Sequence, residues 1–238
     1  MKKMYILLIL AMLGITSRAD MIWDLTANES VNVDGMIISQ YSYPAATGNS
    51  DPFLVIQNNG EEEGYNTSGG LPFDTKAPFT QNLLFNSIPT IMFNDILYRE
   101  ILLDINEPNN SSLISMEDFQ IYQSDTPSQF VVDPIDLGML IYDLDFTEDG
   151  YVLMDGSIQG GGGSEGDIRF LIPDSEFDSS LDYVYLYSEF GEHSAAGGGF
   201  EEFSVQTIPE PTTLGLIALG ILGIYGRKKL TIHKNSVS

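Results

Sequence analysis

The chain has 238 residues, of which 43% are hydrophobic and 11% aromatic, so it can bury the core of one sizeable domain or two small ones. Its 34 acidic residues outnumber its 10 basic residues, for a formal net charge of −24, and such a surface excludes a nucleic-acid-binding protein because it repels phosphate backbones. It contains no cysteine, which excludes disulfides and thiolate metal sites.

The N-terminus has the pattern of a cleaved signal peptide. Two lysines precede an apolar stretch over residues 4–14, and small residues occupy positions −3 and −1 before the Ala19–Asp20 bond. The alternative, a short membrane anchor, is disfavoured because about eleven apolar residues cannot span a hydrocarbon core of roughly 30 Å. We expect a signal peptide over residues 1–19, cleaved between Ala19 and Asp20, and an exported acidic domain over residues 20–207.

Seven segments of this domain are rich in β-branched and aromatic residues and are bounded by Gly, Pro, Asn or Asp, as is typical of strands. They are residues 52–57, 97–105, 119–124, 138–146, 151–159, 167–173 and 182–190. No segment shows apolar spacing at i, i+3, i+4 and i+7 over three turns, so helices should be few and short. The pattern favours an all-β fold, a single antiparallel β-sandwich of the jelly-roll type.

Two acidic stretches within the domain raise the question of a cation. Residues 58–78 contain three consecutive glutamates and several turn formers, which favours a long solvated connection, with the edge of a cation site as the alternative. Asp104, Asn106 and Glu107 follow a predicted strand and offer the hard oxygen ligands that Ca²⁺ prefers, although Pro108 excludes an EF-hand loop. We predict no cofactor and no assigned metal ligand, and keep a structural Ca²⁺ as an alternative.

A row of tyrosines marks the strand predicted over residues 182–190. Tyr183, Tyr185 and Tyr187 alternate with other residues, so they share one face of the strand. We interpret this row as a packed or partly wet sheet face. The alternative is an aromatic surface that stacks on sugars, which would suit a carbohydrate-binding module.

The sequence contains patterns that resemble catalytic motifs, but none of them has the surrounding elements that the motif needs. Residues 162–166 match G-x-S-x-G with Ser164 as the nucleophile, but strand-like segments lie on both sides, whereas that motif needs a helix after the serine. We interpret its glycines as a flexible hairpin loop. His193 is the only histidine of the domain, which excludes a histidine-rich zinc site. Carboxylates are too numerous to single out a glycosidase pair, so we expect no catalytic residue and no enzyme, with a surface hydrolase as a remote alternative.

Three sequence elements follow one another near the C-terminus: a Pro-Glu-Pro motif, an apolar run and a basic cluster. They are Pro209, Glu210 and Pro211, then residues 214–225, and then Arg227, Lys228 and Lys229. This order closely resembles the PEP-CTERM sorting signal of Gram-negative bacteria that make extracellular polysaccharide, which is recognised by exosortase, a membrane protease and transpeptidase. The resemblance implies that the Pro-Glu-Pro motif is the recognition site, the apolar run a transient membrane stop and the basic cluster its cytoplasmic end.

The length of the apolar run agrees with a transient membrane stop. As a helix, residues 212–226 would reach roughly 22 Å at about 1.5 Å per residue, short of a hydrocarbon core of roughly 30 Å. The basic cluster orients the C-terminal end toward the cytoplasm by the positive-inside rule. We therefore expect a sorting signal with a short transmembrane helix over residues 208–230 and a cytoplasmic tail over residues 231–238. An ordinary tail anchor is the alternative.

The domain also resembles the β-sandwich common among proteins with this signal. Residues 189–205 are similar to the "fG…GGFEEW" ending often found before it, with Phe203 where tryptophan is usual. The resemblance implies an exported protein that passes through an inner-membrane intermediate to the cell surface or extracellular matrix. Its expected partners are an exosortase-type protease during export and extracellular polysaccharide afterwards. We expect a non-enzymatic protein, with a carbohydrate-binding module as the alternative.

Overall fold

A computed structural model of the protein describes residues 20–45, 50–108, 112–158 and 165–206. The predicted signal peptide and sorting signal lie outside these ranges, so Asp20 is the only described residue among the predicted processing and sorting positions. Within the described ranges, no helix has the length and apolar character needed to cross a membrane.

Most of the described chain is β-strand, and its helix is confined to three 3-10 turns, which confirms the expectation of few and short helices. The strands are β1 (Met21–Asp24), β2 (Ser30–Val33), β3 (Met36–Pro44), β4 (Ser50–Ile56), β5 (Asn59–Gly60), β6 (Glu62–Tyr65), β7 (Leu83–Leu84), β8 (Thr90–Phe93), β9 (Ile96–Ile105), β10 (Leu113–Ser124), β11 (Met139–Asp143), β12 (Gly150–Asp155), β13 (Glu165–Pro173), β14 (Tyr183–Phe190), β15 (Ala196–Gly197) and β16 (Glu201–Gln206). The turns are Phe85–Ser87, Pro134–Leu137 and Asp174–Glu176.

The strands form two seven-stranded sheets and a small pair, β15–β5. The first sheet has the order β1-β12-β10-β14-β6, with β11 and β7 attached, and the second has β2-β3-β13-β9-β16-β4, with β8 attached. Buried side chains of both sheets form one hydrophobic cluster. Phe119 of β10 stacks on Phe170 of β13 with 4.6 Å between ring centroids. A core shared by two sheets is what a β-sandwich requires.

All seven predicted strand segments contain a strand, but their bounds differ. The segment predicted at 119–124 extends back to Leu113, because the preceding residues alternate between the core and the opposite face. The segments predicted over 138–146 and 151–159 end early, at Asp143 and Asp155. Both aspartates accept a backbone N–H two residues further on, Asp145 N at 3.1 Å and Ser157 N at 2.9 Å, so each begins a turn.

One strand pair is parallel, which corrects the expectation of a wholly antiparallel fold. β1 runs parallel to β12, with Met21 opposite Gly150 and Asp24 opposite Leu153. Parallel neighbours need a long connection. Residues 25–149 supply it, since β1 ends at Asp24 and β12 begins at Gly150. Gly150 permits the close approach, since a Cβ there would lie 2.4 Å from the carbonyl oxygen of Met21.

The segment 58–78 is not the solvated connection that was expected. Its residues Glu62–Tyr65 form β6, which pairs with β14 at the edge of the first sheet, and Glu62 and Tyr65 are buried. Gly64 makes this packing possible, because a Cβ there would come within 2.5 Å of Thr75 Cγ2. The chain then folds back, with Asp74 N donating to the Glu63 carbonyl oxygen at 3.0 Å.

The strands on either side of the glycine-rich segment do not pair with each other, so they are not the two arms of the expected hairpin; the glycines at 160–163 lie outside the described residues. β12 belongs to the first sheet and β13 to the second, so the chain between them joins the two sheets. The strands on both sides confirm the absence of the helix that G-x-S-x-G needs on its C-terminal side. Ser164 itself lies outside the described residues.

Candidate functional site

The tyrosine row of β14 belongs to a second, smaller core. Tyr185 and Tyr65 are 0% exposed and Tyr187 is 6% exposed. The Tyr65 hydroxyl donates to the Val131 carbonyl oxygen at 3.0 Å, and that of Tyr185 donates to the Thr126 carbonyl oxygen at 2.6 Å. These bonds hold the loop after β10 over the rings. The packed sheet face is therefore confirmed, because Tyr65, Tyr185 and Tyr187 are buried and Tyr183 packs partly buried against them.

An open groove of about 330 Å³ lies beside this tyrosine cluster, on the face of β10 that points away from the core. We call it the acidic groove. Its lining combines three carboxyl groups with aliphatic, amide and phenol side chains: Asp118, Asp133, Asp143, Pro134, Ile135, Leu140, Gln120, Tyr122 and Tyr187. Carboxyl oxygens accept hydrogen bonds from hydroxyl groups, and aliphatic side chains pack against a sugar ring, so the lining suits a polyhydroxylated ligand.

The carboxyl groups of the acidic groove influence one another. Burial, followed by the negative charge of Asp143, raises the pKa of Asp118 to about 6. Gln120 Nε2 donates to Asp118 Oδ1 at 3.3 Å, and the Tyr122 hydroxyl donates to Gln120 Oε1 at 2.6 Å. Two carboxyl groups in one groove, one with a raised pKa, are also the minimum that a glycosidase needs. The groove is therefore a candidate site for either a carbohydrate-binding module or a surface hydrolase.

A second cluster, which we call the glutamate trio, consists of Glu62, Glu107 and Glu201. Glu62 lies at the start of β6, Glu107 follows β9 and Glu201 begins β16. Glu62 and Glu201 are 1% and 0% exposed, and the Glu201 carboxyl lies within hydrogen-bonding reach of both others. Asn58 N donates to Glu62 Oε2, and Gly197 N donates to Glu107 Oε2 at 2.7 Å.

The glutamate trio has more acceptors than donors. As long as all three groups are ionised, four buried oxygens receive no hydrogen-bond donor: both carboxyl oxygens of Glu201, Oε1 of Glu62 and Oε1 of Glu107. Burial raises the pKa of Glu201 well above its ordinary value, and Glu62 and Glu107 raise it further; burial also raises the pKa of Glu62. As placed, no group of three or more His, Asp or Glu side chains among residues 20–45, 50–108, 112–158 and 165–206 could hold a metal ion.

The predicted group of Asp104, Asn106 and Glu107 is divided by the fold. In the ladder between β16 and β9, Asp104 lies opposite Glu202 and Ile105 lies opposite Glu201, so the two neighbouring glutamates point to opposite faces. Asp104 hydrogen-bonds Asn106 on the face away from the core, whereas Glu107 joins the glutamate trio.

Sequence reasoning missed the role of Glu201, although a signal was present. Glu201 alternates in phase with Phe203 and Val205, both of which are core residues. That period of two predicts an inward side chain.

His193 is held by contacts with Tyr151, Glu117 and Asp20. Its ring stacks on Tyr151 with 4.0 Å between centroids, Nδ1 lies 3.3 Å from Glu117 Oε1, and Nε2 lies 3.2 Å from Asp20 Oδ2. Burial lowers its pKa, but the hydrogen bonds to Glu117 and Asp20 outweigh this, so the pKa of His193 is raised. The histidine thus links the expected first residue of the exported domain to β10.

These features define a strongly acidic, mostly β protein. Residues 207–229 match the family model of the PEP-CTERM protein-sorting motif, as the sequence predicted. No curated protein and no solved structure matches the chain. The motif implies export, processing by exosortase, a membrane protein, and a location at the cell surface or outside the cell. The individual roles of residues 209–211 and 227–229 stay predictions, because they lie outside the described ranges.

Proposed function

We propose that this chain is a non-enzymatic protein of the cell surface or extracellular matrix, delivered by an exosortase and associated with extracellular polysaccharide. The match of residues 207–229 to the sorting motif carries the proposal. A signal peptide over residues 1–19 starts export, and a short helix within 208–230 holds the inner-membrane intermediate until it is cut. The domain that reaches its destination is a jelly-roll-like sandwich.

The charge of the exported domain supports a role in a matrix. Between Asp20 and Glu210 the sequence has 34 acidic residues, against only Lys76, Arg99 and Arg169. Such a surface keeps the domain soluble and attracts divalent cations. Neutral polysaccharides can contact it directly, and anionic ones through bridging cations.

Processing is tested by mass spectrometry of the protein isolated from its native host. We expect C-terminal peptides that end within residues 209–213 in the wild type, and an unprocessed chain when Glu210 is replaced by Ala. Lys234→Gln, outside the matched motif, is the control and should be processed normally. An intact tail over residues 227–238 on the wild-type surface protein would contradict the proposal.

The acidic groove supports one second candidate, a carbohydrate-binding module. Its carboxyl groups would accept sugar hydroxyls, and Ile135 and Leu140 would lie against the ring. We expect an exopolysaccharide to retain the wild type, Asp143→Asn to weaken retention at least tenfold, and the exposed Asp51→Asn control to behave like the wild type. Equal retention of all three proteins would exclude the acidic groove as the polysaccharide-binding site. Release of reducing sugar by the wild type but not by Asp143→Asn would instead support the hydrolase and contradict a non-enzymatic protein.

A further inference from the structure

The hairpin of β8 and β9 ends in an exposed apolar tip. Four large apolar side chains on either side of its turn are between 39% and 67% exposed, and we call them the apolar tip: Met92, Phe93, Ile96 and Leu97. The turn itself consists of Asn94 and Asp95, with φ of 49° and 62°, as a two-residue hairpin turn of type I′ requires. Asp95 is the only charged residue of residues 92–97. On a domain so rich in carboxylates, such a stretch marks a contact surface.

The apolar tip is exposed on both faces of the hairpin. Met92 lies opposite Leu97 and Phe93 lies opposite Ile96. Because successive residues of a strand point to opposite faces, each of these pairs occupies its own face. A flat protein surface would cover one pair and leave the other in water. A lipid surface surrounds an inserted element and covers both pairs at once.

The apolar tip points in the direction in which the chain leaves the domain. One edge of β9 pairs with β13, and along its other edge β16 and β8 lie end to end, β8 beside the N-terminal half. β16 runs antiparallel to β9, so its C-terminal end is directed toward the hairpin turn. The pairing of Ser204 with Leu102 places Gln206, the last described residue, about level with Glu100. The hairpin therefore extends beyond the exit point toward whatever holds the C-terminal segment.

The lengths of the two segments allow both to reach one membrane. From the level of Glu100 to the turn at Asp95, β9 extends about 17 Å at about 3.4 Å per residue. The stretch from Gln206 to Leu214, where the apolar run begins, spans at most about 28 Å. A hairpin directed at the membrane therefore brings its turn within about 11 Å of the surface even when this stretch is fully extended. Any bend in the stretch brings the tip into contact.

We propose that the apolar tip inserts into the headgroup region of the membrane that holds the chain before exosortase cuts it. The inference rests on the proposed function, because it needs the membrane-held intermediate. The two residue pairs of the tip extend about 7 Å along the hairpin, and interfacial elements bury their apolar side chains roughly 5–10 Å deep. This depth keeps the unpaired edge of β8 out of the hydrocarbon core, where unpartnered backbone groups are not tolerated.

The charge of the domain determines which lipids suit the contact. Asp95 stays among hydrated headgroups when the hairpin enters obliquely, and the acidic surface around it repels anionic lipids. The contact is therefore hydrophobic and is made best with zwitterionic lipids. One shallow contact gives only marginal membrane binding, whereas two attachments together are stable. The tip and the apolar run would thus orient the domain at the membrane before the cut, and the tip alone would release it afterwards.

The test places a fluorophore at single positions of the full-length chain, which has no cysteine of its own. Met92→Cys, Ala218→Cys and Glu61→Cys are labelled with an environment-sensitive dye and reconstituted into phosphatidylcholine vesicles that contain spin-labelled lipid. We expect the probe at position 92 to shift to shorter wavelength and to be quenched by a spin label near the headgroups. The probe at position 218, in the apolar run, should be quenched by a spin label deep in the acyl chains.

Glu61→Cys is the matched control. Glu61 is exposed and precedes Glu62 of the glutamate trio. That trio lies at the opposite end of β9 from the hairpin, since its member Glu201 pairs with Ile105. The probe at position 61 should respond to neither spin label. If Met92→Cys does not fold, Leu97→Cys, on the same face of the hairpin, gives the same comparison.

Three results would overturn the proposal, and they differ in what else they remove. Quenching at position 218 with a probe at position 92 that behaves like the one at position 61 would refute the contact and leave the membrane-held intermediate standing. No quenching at position 218 would refute the membrane stop, and with it the proposed intermediate. Loss of processing by Met92→Asn in the native host, with no quenching at position 92 in vesicles, would assign the tip to a contact with exosortase.

Discussion

The stacked pair Phe119 and Phe170 gives a direct test of whether the two sheets pack on one another. Phe119 lies on β10 of the first sheet and Phe170 on β13 of the second, and both are 0% exposed. Their centroids are 4.6 Å apart and their planes differ by 10°. If the sheets form a sandwich, each ring contributes to the environment of the other, and the effects of replacing them cannot be independent.

We expect Phe119→Leu and Phe170→Leu each to lower the free energy of unfolding by about 1–3 kcal/mol, because each leaves part of a packed core unfilled. The double variant should lose less than the sum of the two. The difference, the coupling energy, should be about 0.5–1.5 kcal/mol, the range for aromatic pairs.

The assay is urea unfolding of the full-length chain in detergent, followed by tyrosine and tryptophan fluorescence, for the wild type, both single variants and the double variant. The control cycle combines Phe170→Leu with Tyr185→Phe, since Tyr185 belongs to the separate tyrosine cluster. That cycle should be additive within about 0.5 kcal/mol. A coupling energy near zero for Phe119 and Phe170 would show that the sheets do not share a core.

Three further predictions follow from individual contacts. Gly64→Ala should destabilise the fold by about 1–3 kcal/mol, because its Cβ would lie 2.5 Å from Thr75 Cγ2; an unchanged midpoint in urea would contradict this packing. Tyr65→Phe should lower the free energy of unfolding by about 1–3 kcal/mol, because it leaves buried polar groups without their partner. The Val131 N–H donates to this hydroxyl at 2.7 Å, so its hydrogen exchange should speed up in the variant. Unchanged exchange at Val131 would refute the prediction. Burial raises the pKa of Asp167 to about 7, so its contribution to stability is fully present below about pH 4 and is lost as the pH rises through about 7. Asp167→Asn should therefore flatten the fall in stability between about pH 4 and 7, and an equal fall in both proteins would refute this assignment.

The strands that could be predicted from the sequence are those in which apolar, β-branched and aromatic residues are dense. The segment "PFLVIQ" and the tyrosine-rich β14 are examples, because burial on both faces leaves a continuous local signal. β6 could not be predicted in this way. Its letters "EEGY" are typical of a solvated turn, and only the neighbouring strand β14, far away in sequence, makes Glu62 an inward residue.

The glutamate trio shows why the candidate sites were less predictable than the strands. The cation alternative pointed to two separate stretches, and the fold unites one residue from each, Glu62 and Glu107, with Glu201 from a third. Which of several neighbouring acidic residues points inward depends on strand register, and register is set by pairing partners rather than by local composition. The sorting motif was predictable for the opposite reason, since its elements are consecutive in the chain.

The position of β16 sets the order in which the exported domain can be completed. β16 lies between β9 and β4 in the second sheet, so its absence leaves the edges of both strands unpaired. It is also the last strand before the sorting motif, so a chain that crosses the membrane from its N-terminus keeps this sheet open until residue 206 has emerged. From Gln206 to Pro209 an extended chain spans at most about 10 Å. With Pro209, Glu210 and Pro211 as the proposed recognition site, the exosortase would act on a substrate that adjoins its folded domain without a spacer, or cut before the final strand is in place.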